Sequence, residues 1–348
     1  MSKIFIFYTV IFYLSYFIFN NWKFLNNKLL DKETSKVQSF HEIATPRSGG
    51  VLIFVIWFFF LIFNKFIYIE IPFLIYFTLT NFLIGFFADL KIIKSPIKRF
   101  CLMLLFNLII IFYYDFYINQ FDFYFFDFLN SFLIFKIILV FLALFFIING
   151  SNLIDGFNGL LSIHITIIIF IIYLVCKNNN INVNLQYYLM FLIFGNILFL
   201  SLNFPKAKIF LGDCGAYFLG AQIACISIYI SNSYDLISTF FIANILFYLF
   251  FEIFFSVFRK ILQKKNPFYP DGNHLHMLLF KFIKNKTKFS NPLTSIIINL
   301  VFILSLIPSY VYFNNDLVCK IIFVIQIFVY ISSYLFLIKS KTNANIHS

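Results

Sequence analysis

Long stretches of this chain carry almost no charge, and short polar clusters interrupt them at intervals of roughly one membrane crossing. Within residues 131–148, for example, only Lys136 is charged. About 20 apolar residues, each rising about 1.5 Å in a helix, cross the hydrocarbon core of a bilayer, so such runs predict transmembrane helices. Eleven spans are predicted, at roughly 2–20, 48–63, 66–87, 99–117, 131–149, 160–176, 187–203, 212–230, 236–258, 293–313 and 317–338, the second being short. Backbone amides in lipid must find partners within their own segment, which excludes an open sheet. The expected fold is therefore all-α: a polytopic transmembrane bundle of 10–11 spans, with no internal repeat, forming one integral membrane domain over residues 1–348. The first apolar run has one basic residue before it and no small-residue cleavage site after it, so an uncleaved helix is expected there.

Composition agrees with that pattern. Hydrophobic residues make up 62% of the chain and charged residues 11%, too apolar for a soluble domain of this size. The 57 phenylalanines, with the excess of Ile, Asn, Lys and Tyr, share AT-rich codons and read as lipid-facing drift rather than a binding surface. The net charge of +12 is first a topology signal. With the N-terminus outside, most basic residues fall in inner loops: Lys23 to Arg47, Lys91 to Arg99, Lys206 and Lys208, and Arg259 to Lys288. That face also suits anionic head groups or phosphates. The five cysteines show no CxxC spacing, so neither a disulfide framework nor a cysteine metal site is expected.

Five segments break the Phe/Ile background, and all map to the same inner face. They are His41-Glu-Ile-Ala-Thr-Pro-Arg47-Ser-Gly49-Gly50; Gly85-Phe-Phe-Ala88-Asp89 with Ser95-Pro-Ile-Lys98-Arg99; Asn149-Gly-Ser-Asn152-Leu-Ile-Asp155-Gly-Phe-Asn158-Gly; Gly212-Asp213-Cys-Gly215-Ala-Tyr-Phe-Leu-Gly220; and Asn266-Pro-Phe-Tyr-Pro270-Asp271-Gly-Asn-His274-Leu-His276. Asp89, Asp155 and Asp213 each end or begin a long apolar run. An ionisable group near hydrocarbon is costly and is a functional candidate, although one such Asp alone is as readily a helix cap. Clustered carboxylates repel unless a cation lies between them. Mg²⁺ bridges one or two carboxylates to substrate phosphates, so the expectation is a Mg²⁺–diphosphate site, with Mn²⁺ as substitute. Basic side chains nearby can neutralise phosphate oxygens. A zinc site on His274 and His276 is the competing use, disfavoured because residues two apart leave a helix on different sides. Gly49-Gly50 and Gly212 read, taken alone, as tight-turn residues.

The ordered set of motifs, from about residue 40 to 290, resembles the polyprenyl-phosphate N-acetylhexosamine-1-phosphate transferases. The resemblance implies transfer of a sugar 1-phosphate from a UDP-sugar to undecaprenyl phosphate, with release of UMP. It implies Asp89, Asp155 and Asp213 as catalytic acids, with Asp213 and Asp155 holding the metal. Asn152, Asn158, Arg47, His274, His276, Lys98 and Arg259 are implied as substrate-binding residues. Glu252 resembles an acid of the family, or a structural intramembrane partner. The absence of a run of three histidines points toward the branch that primes surface polysaccharides such as lipopolysaccharide O-antigen, rather than the phospho-MurNAc-pentapeptide translocase branch. The implied setting is a bacterial cytoplasmic membrane with the site facing the cytoplasm. Membrane lipid is a partner, a homodimer is compatible, and no nucleic-acid partner is expected.

Three positions depart from the family pattern. Ala88 stands where the family has an acid, Gly272 where an Arg is common, and Met277 where some members have a further His. Two other readings stand beside the enzyme: a non-catalytic homologue that binds lipid phosphate or scaffolds glycan assembly, which Ala88 favours, and a transporter or channel. The transporter would thread polar residues through mid-span, whereas the acids here collect at one end.

Overall fold

A computed structural model describes residues 2–22, 28–31, 44–63, 71–119, 121, 123–266, 269, 271–284, 286–287 and 289–346. Lys23, Lys32, Lys36, His41, Lys65, Pro267, Pro270, Lys288 and the first residues of the third predicted span lie outside them.

All eleven predicted spans correspond to helices: α1 (Ser2–Asn21), α2 (Gly49–Phe63), α3 (Pro72–Asp89), α4 (Pro96–Tyr114), α6 (Leu133–Ile154), α7 (Leu160–Asn178), α8 (Val183–Asn203), α9 (Gly212–Ser233), α10 (Thr239–Leu262), α12 (Ser290–Val311) and α13 (Asp316–Ile346). Ten are long and apolar enough to cross a membrane, so the chain is a multi-pass helical bundle. The exception is α2, whose 15 residues extend only about 22 Å. Two short helices were not in the predicted set: α5 (Tyr124–Leu129), and α11 (Leu275–Lys284), which carries half of the histidine motif. A two-residue antiparallel ladder joins β1 (Leu30–Asp31) to β2 (Thr45–Pro46).

Helix starts follow local chemistry. Pro72 and Pro96 occupy first-turn positions of α3 and α4, where a missing N–H costs nothing. Asn182 caps α8 by accepting from the Asn184 and Leu185 amides, and Ser238 caps α10 by accepting from Phe240.

The bundle is built around α9, of whose span 94% is buried, against 11% for α1. Its residues Gly212, Cys214, Gly215, Ala216, Gly220, Ala221 and Ala224 are small, which lets neighbouring backbones approach closely. A Cβ on Gly85 of α3 would lie 2.6 Å from the Asp213 carbonyl oxygen, and one on Gly220 would lie 2.9 Å from Cα of Ile148 on α6. Buried polar pairs add specificity between helices: Asn81 with Asn107, Trp57 with Tyr188 and Gln222, and His164 with Asn299.

Candidate active site

The segment after β2 is fastened to the loop that enters α9. Phe210 N–H donates to Pro46 O, Gly49 N–H to Phe210 O and Gly50 N–H to Leu211 O, at 2.8–2.9 Å. This places Arg47 and the start of α2 beside the first turn of α9. Gly212 adopts φ +79°, a left-handed backbone that suits glycine. A Cβ there would also lie 2.7 Å from Asp89 Oδ2. The glycines of the first and fourth motifs therefore act together, packing Gly50 of α2 against Gly215 of α9.

Four elements meet at this turn. Asp213 accepts from Asn152 Nδ2 of α6 at 2.9 Å and from Arg99 Nη1 of α4 at 2.5 Å. Asp89, at the last turn of α3, accepts the Asp213 N–H at 3.0 Å and the Cys214 N–H at 2.9 Å. Arg47 stands 3.5 Å from Asp89 and pairs with Asp31 at 2.7 Å, so β1 contributes an acid as well. Exposure separates these groups. The Asp89 side chain is 0% exposed, whereas Asp213 and Arg99 are each 21% and Arg47 33% exposed. Burial alone would make Arg47 easier to deprotonate; the Asp213, Asp89 and Asp31 carboxylates outweigh it and hold the guanidinium firmly charged.

Asp155 follows the last residue of α6 and makes no hydrogen bond or ion pair among the described residues. Burial, reinforced by the nearby charge of Asp213, pushes its carboxyl well above the usual range. Its turn is tied down by neighbours. The Asn158 amide donates to Asn291 Oδ1, its side chain to Pro205 O, and Gly159 N–H to Asn203 Oδ1. Phe157 packs edge-on to the His276 ring, with centroids 5.8 Å apart, and against Phe280 at 5.1 Å.

A second polar cluster lies where α10, α11 and α13 meet. Buried Glu252 accepts from Tyr330 OH at 2.9 Å and from the Leu275 N–H at 3.3 Å, and lies 2.9 Å from His274 Nδ1. His274 Nε2 lies 3.5 Å from Asp271, which Arg259 also pairs at 2.9 Å. Burial alone would raise the Asp271 carboxyl, but the Arg259 hydrogen bond and charge outweigh it and hold it below the usual range. His276 is fully buried, with Tyr248 OH 3.2 Å from Nδ1. Burial lowers its ring to about 4.

The ten residues singled out in the sequence thus fall into three groups. Asp89, Asp213, Arg47 and Asn152 are directly joined, with Asp155 in electrostatic reach and Asn158 bracing its turn. His274, His276 and Arg259 form the second cluster, joined to the first through Phe157. Lys98 is exposed on the first turn of α4, and its neighbour Arg99 reaches Asp213 instead. Arg99, Asp31, Asp271 and Tyr330 are site residues outside that set. Adjacent basic residues on a helix point about 100° apart, so Lys98-Arg99 does not reveal which one turns inward.

Among the described residues, no three or more His, Cys, Asp or Glu side chains converge as a ready metal cage. Asp155, without a hydrogen bond among the described residues, and partly exposed Asp213 are the carboxylates that could hold a Mg²⁺, an ion that takes one or two carboxylates and completes its shell with water and substrate oxygens.

The family model described as glycosyl transferase family 4 matches residues 71–231, the stretch that carries Asp89, Arg99, Asn152, Asp155 and Asp213. That stretch, just under half of the chain, is similar to glycosyl transferase family 4. The chain is 34% identical over 139 residues to an undecaprenyl-phosphate alpha-N-acetylglucosaminyl 1-phosphate transferase of Thermotoga maritima, covering 39% of this chain and 41% of that one. It is 34% identical over 137 residues to a probable undecaprenyl-phosphate N-acetylglucosaminyl 1-phosphate transferase of Bacillus subtilis, covering 39% of this chain and 38% of the other. A phospho-N-acetylmuramoyl-pentapeptide-transferase of Dictyoglomus thermophilum is 29% identical over 285 residues, 78% of this chain and 87% of its own. The matches thus span about two fifths of the first and second relatives and most of the third. The acid cluster lies inside the stretch that matches the family model. Arg47, Glu252, Arg259 and both histidines of the second cluster lie outside it.

Proposed function

We propose that the chain transfers a sugar 1-phosphate, an N-acetylhexosamine 1-phosphate, from a UDP-sugar to undecaprenyl phosphate. The observation that carries this reading is Asp213, held by Asn152 and Arg99 at the mouth of α9, with uncommitted Asp155 beside it, inside the stretch that matches the family. In the reaction, an oxygen of the lipid phosphate attacks the sugar-bearing phosphorus of the donor. The new P–O bond forms, the bridge to the uridine-bearing phosphate breaks, and UMP leaves. The attacking phosphate is already anionic, so the chain needs to position charges more than to remove a proton. Arg47 and Arg99, partly exposed and permanently charged, shield phosphate oxygens on either side of the acids. Asp155 and Asp213 are the residues that would hold Mg²⁺, which when bound supplies charge to offset the leaving phosphate.

The Thermotoga and Bacillus relatives and the absence of a triple histidine favour N-acetylhexosamine donors and a polysaccharide-priming role, with O-antigen initiation as one such use. The excess of basic residues in the loops at this end supports a cytoplasmic orientation. Ala88, half-exposed one residue before Asp89, favours a second reading, a non-catalytic binder of lipid phosphate.

Both readings meet in one assay. Purified protein is incubated with undecaprenyl phosphate, Mg²⁺ and a panel of UDP-N-acetylhexosamines, and UMP is measured for the native chain, Asp213→Asn and Ala88→Asp. Transfer predicts UMP from the native chain and a loss of about 100-fold or more in Asp213→Asn. A silent native chain that becomes active only as Ala88→Asp would establish the second reading.

A further inference from the structure

The first turn of α9 has a gap in its own capping. The four leading N–H groups of a helix have no partner within it, and a polar side chain just before the helix usually accepts from them. Here that position is Leu211, which makes no side-chain cap. The acceptors come from another helix: Asp89 Oδ1 takes the Asp213 N–H and Oδ2 the Cys214 N–H. The surroundings are shaped for this contact. Gly212 turns with φ +79°, and any Cβ on it would press on Asp89 Oδ2. Gly85, one turn earlier on α3, lies so close to the α9 backbone that its Cβ would sit 2.6 Å from Asp213 O and from Cys214 Cα. A negative charge at a helix N-terminus is also favoured by the helix dipole.

We propose that Asp89 is a positioning residue, an N-cap delivered in trans by α3, which sets where α9 begins and so where the Asp213 carboxylate stands. This assignment rests on the transfer reading given above, but its structural half does not. Asp89 offers no accessible surface to a substrate. Its oxygens already accept two backbone amides and face Arg47. The carboxylates left for substrate and cation are Asp213 and Asp155. On this account the site works through Asp213 and Asp155 with Ala88 in place, and Asp89 matters because α9 would otherwise start in the wrong place.

The experiment compares Asp89→Asn, which keeps one oxygen acceptor, with Asp89→Ala, which keeps none, in the full chain. Maleimide labelling is quantified by mass spectrometry at Cys214, in the first turn of α9, and at Cys225, three turns deeper in the same helix; both are fully buried. UMP release is followed in parallel, with kcat and KM resolved. Loosening the cap should raise Cys214 labelling relative to Cys225 by about tenfold in Asp89→Ala and by about threefold in Asp89→Asn. Turnover should fall in the same order through kcat, with KM for the donor little changed. Equal loss of turnover in both variants, with Cys214 still protected, would show that the Asp89 carboxylate acts chemically and overturn the proposal. An equal rise at Cys214 and Cys225 would also count against it, since the cap would then have no local effect. If no donor is turned over, the transfer reading fails while the labelling ratio still decides the positioning claim.

Discussion

Asp89 and Glu252 are the same device set in different surroundings. Each is a buried carboxylate on a long apolar helix, Asp89 at the last turn of α3 and Glu252 midway along α10; Asp89 accepts two backbone N–H groups from the first turn of α9, and Glu252 one from the start of α11. Their remaining neighbours differ. Asp89 has Arg47, which is one-third exposed and leads outward to a partly open cluster of charges. Glu252 has the His274 ring and Tyr330 OH, closed in by α13. A carboxylate given backbone donors beside water fixes where a functional helix starts. One given side-chain donors inside the bundle ties three helices into a block. Proximity in the sequence to a family motif does not distinguish these outcomes; the identity of the donors does.

The largest effect that can test this contrast is on stability at Glu252. Replacing it with Leu leaves His274, the Leu275 amide and Tyr330 without their acceptor, and should cost about 3–5 kcal/mol. Glu252→Gln, which keeps an oxygen acceptor, should cost roughly 1–2 kcal/mol. Thermal unfolding in detergent measures both, and a Leu variant as stable as the native chain would dissolve the comparison.

Next in size is a pH effect confined to the histidine side of the molecule. The His276 ring is lowered from 6.5 to about 4 by burial. The unfolded chain therefore takes up a proton at this ring before the folded chain does. Its contribution to stability is complete above about pH 6.5 and is lost as pH falls toward about 4, by up to roughly 3 kcal/mol. A His276→Asn variant should flatten the melting temperature across that window. An unchanged slope would place the titrating group elsewhere.

The smallest effect concerns the close approach that brings Asp89 to α9. Gly85→Ala puts a Cβ 2.6 Å from backbone atoms of α9 and should destabilise by about 1–3 kcal/mol, with Cys214 becoming more reactive. Gly156→Ala, whose Cβ would meet nothing within 4 Å, should stay within about 0.5 kcal/mol of the native chain. If the two variants melt together, the α3–α9 contact is looser than described.

Much of this protein was legible along the chain because lipid imposes a simple rule. A segment that crosses hydrocarbon must be apolar and must satisfy its own amides, so spans can be counted from hydropathy alone. The same rule makes each acid at a span end conspicuous, which is why Asp89, Asp155 and Asp213 stand out along the chain. The short helices α5 and α11 were not legible, because six and ten residues give too little periodicity to separate from a loop.

What a conspicuous residue does was decided only in three dimensions. Sequence determined that acids, basic residues and histidines gather at one end of a helical bundle, because burying them elsewhere is too costly. Tertiary structure decided which of them meet. It turned Arg99 rather than Lys98 toward Asp213, buried His274 and His276 against Glu252 and Tyr248, and gave Asp89 to the backbone of α9 while leaving Asp155 uncommitted. The reason is that hydrogen-bond donors and exposure belong to the packing of helices far apart in the chain, and no residue carries that information by itself.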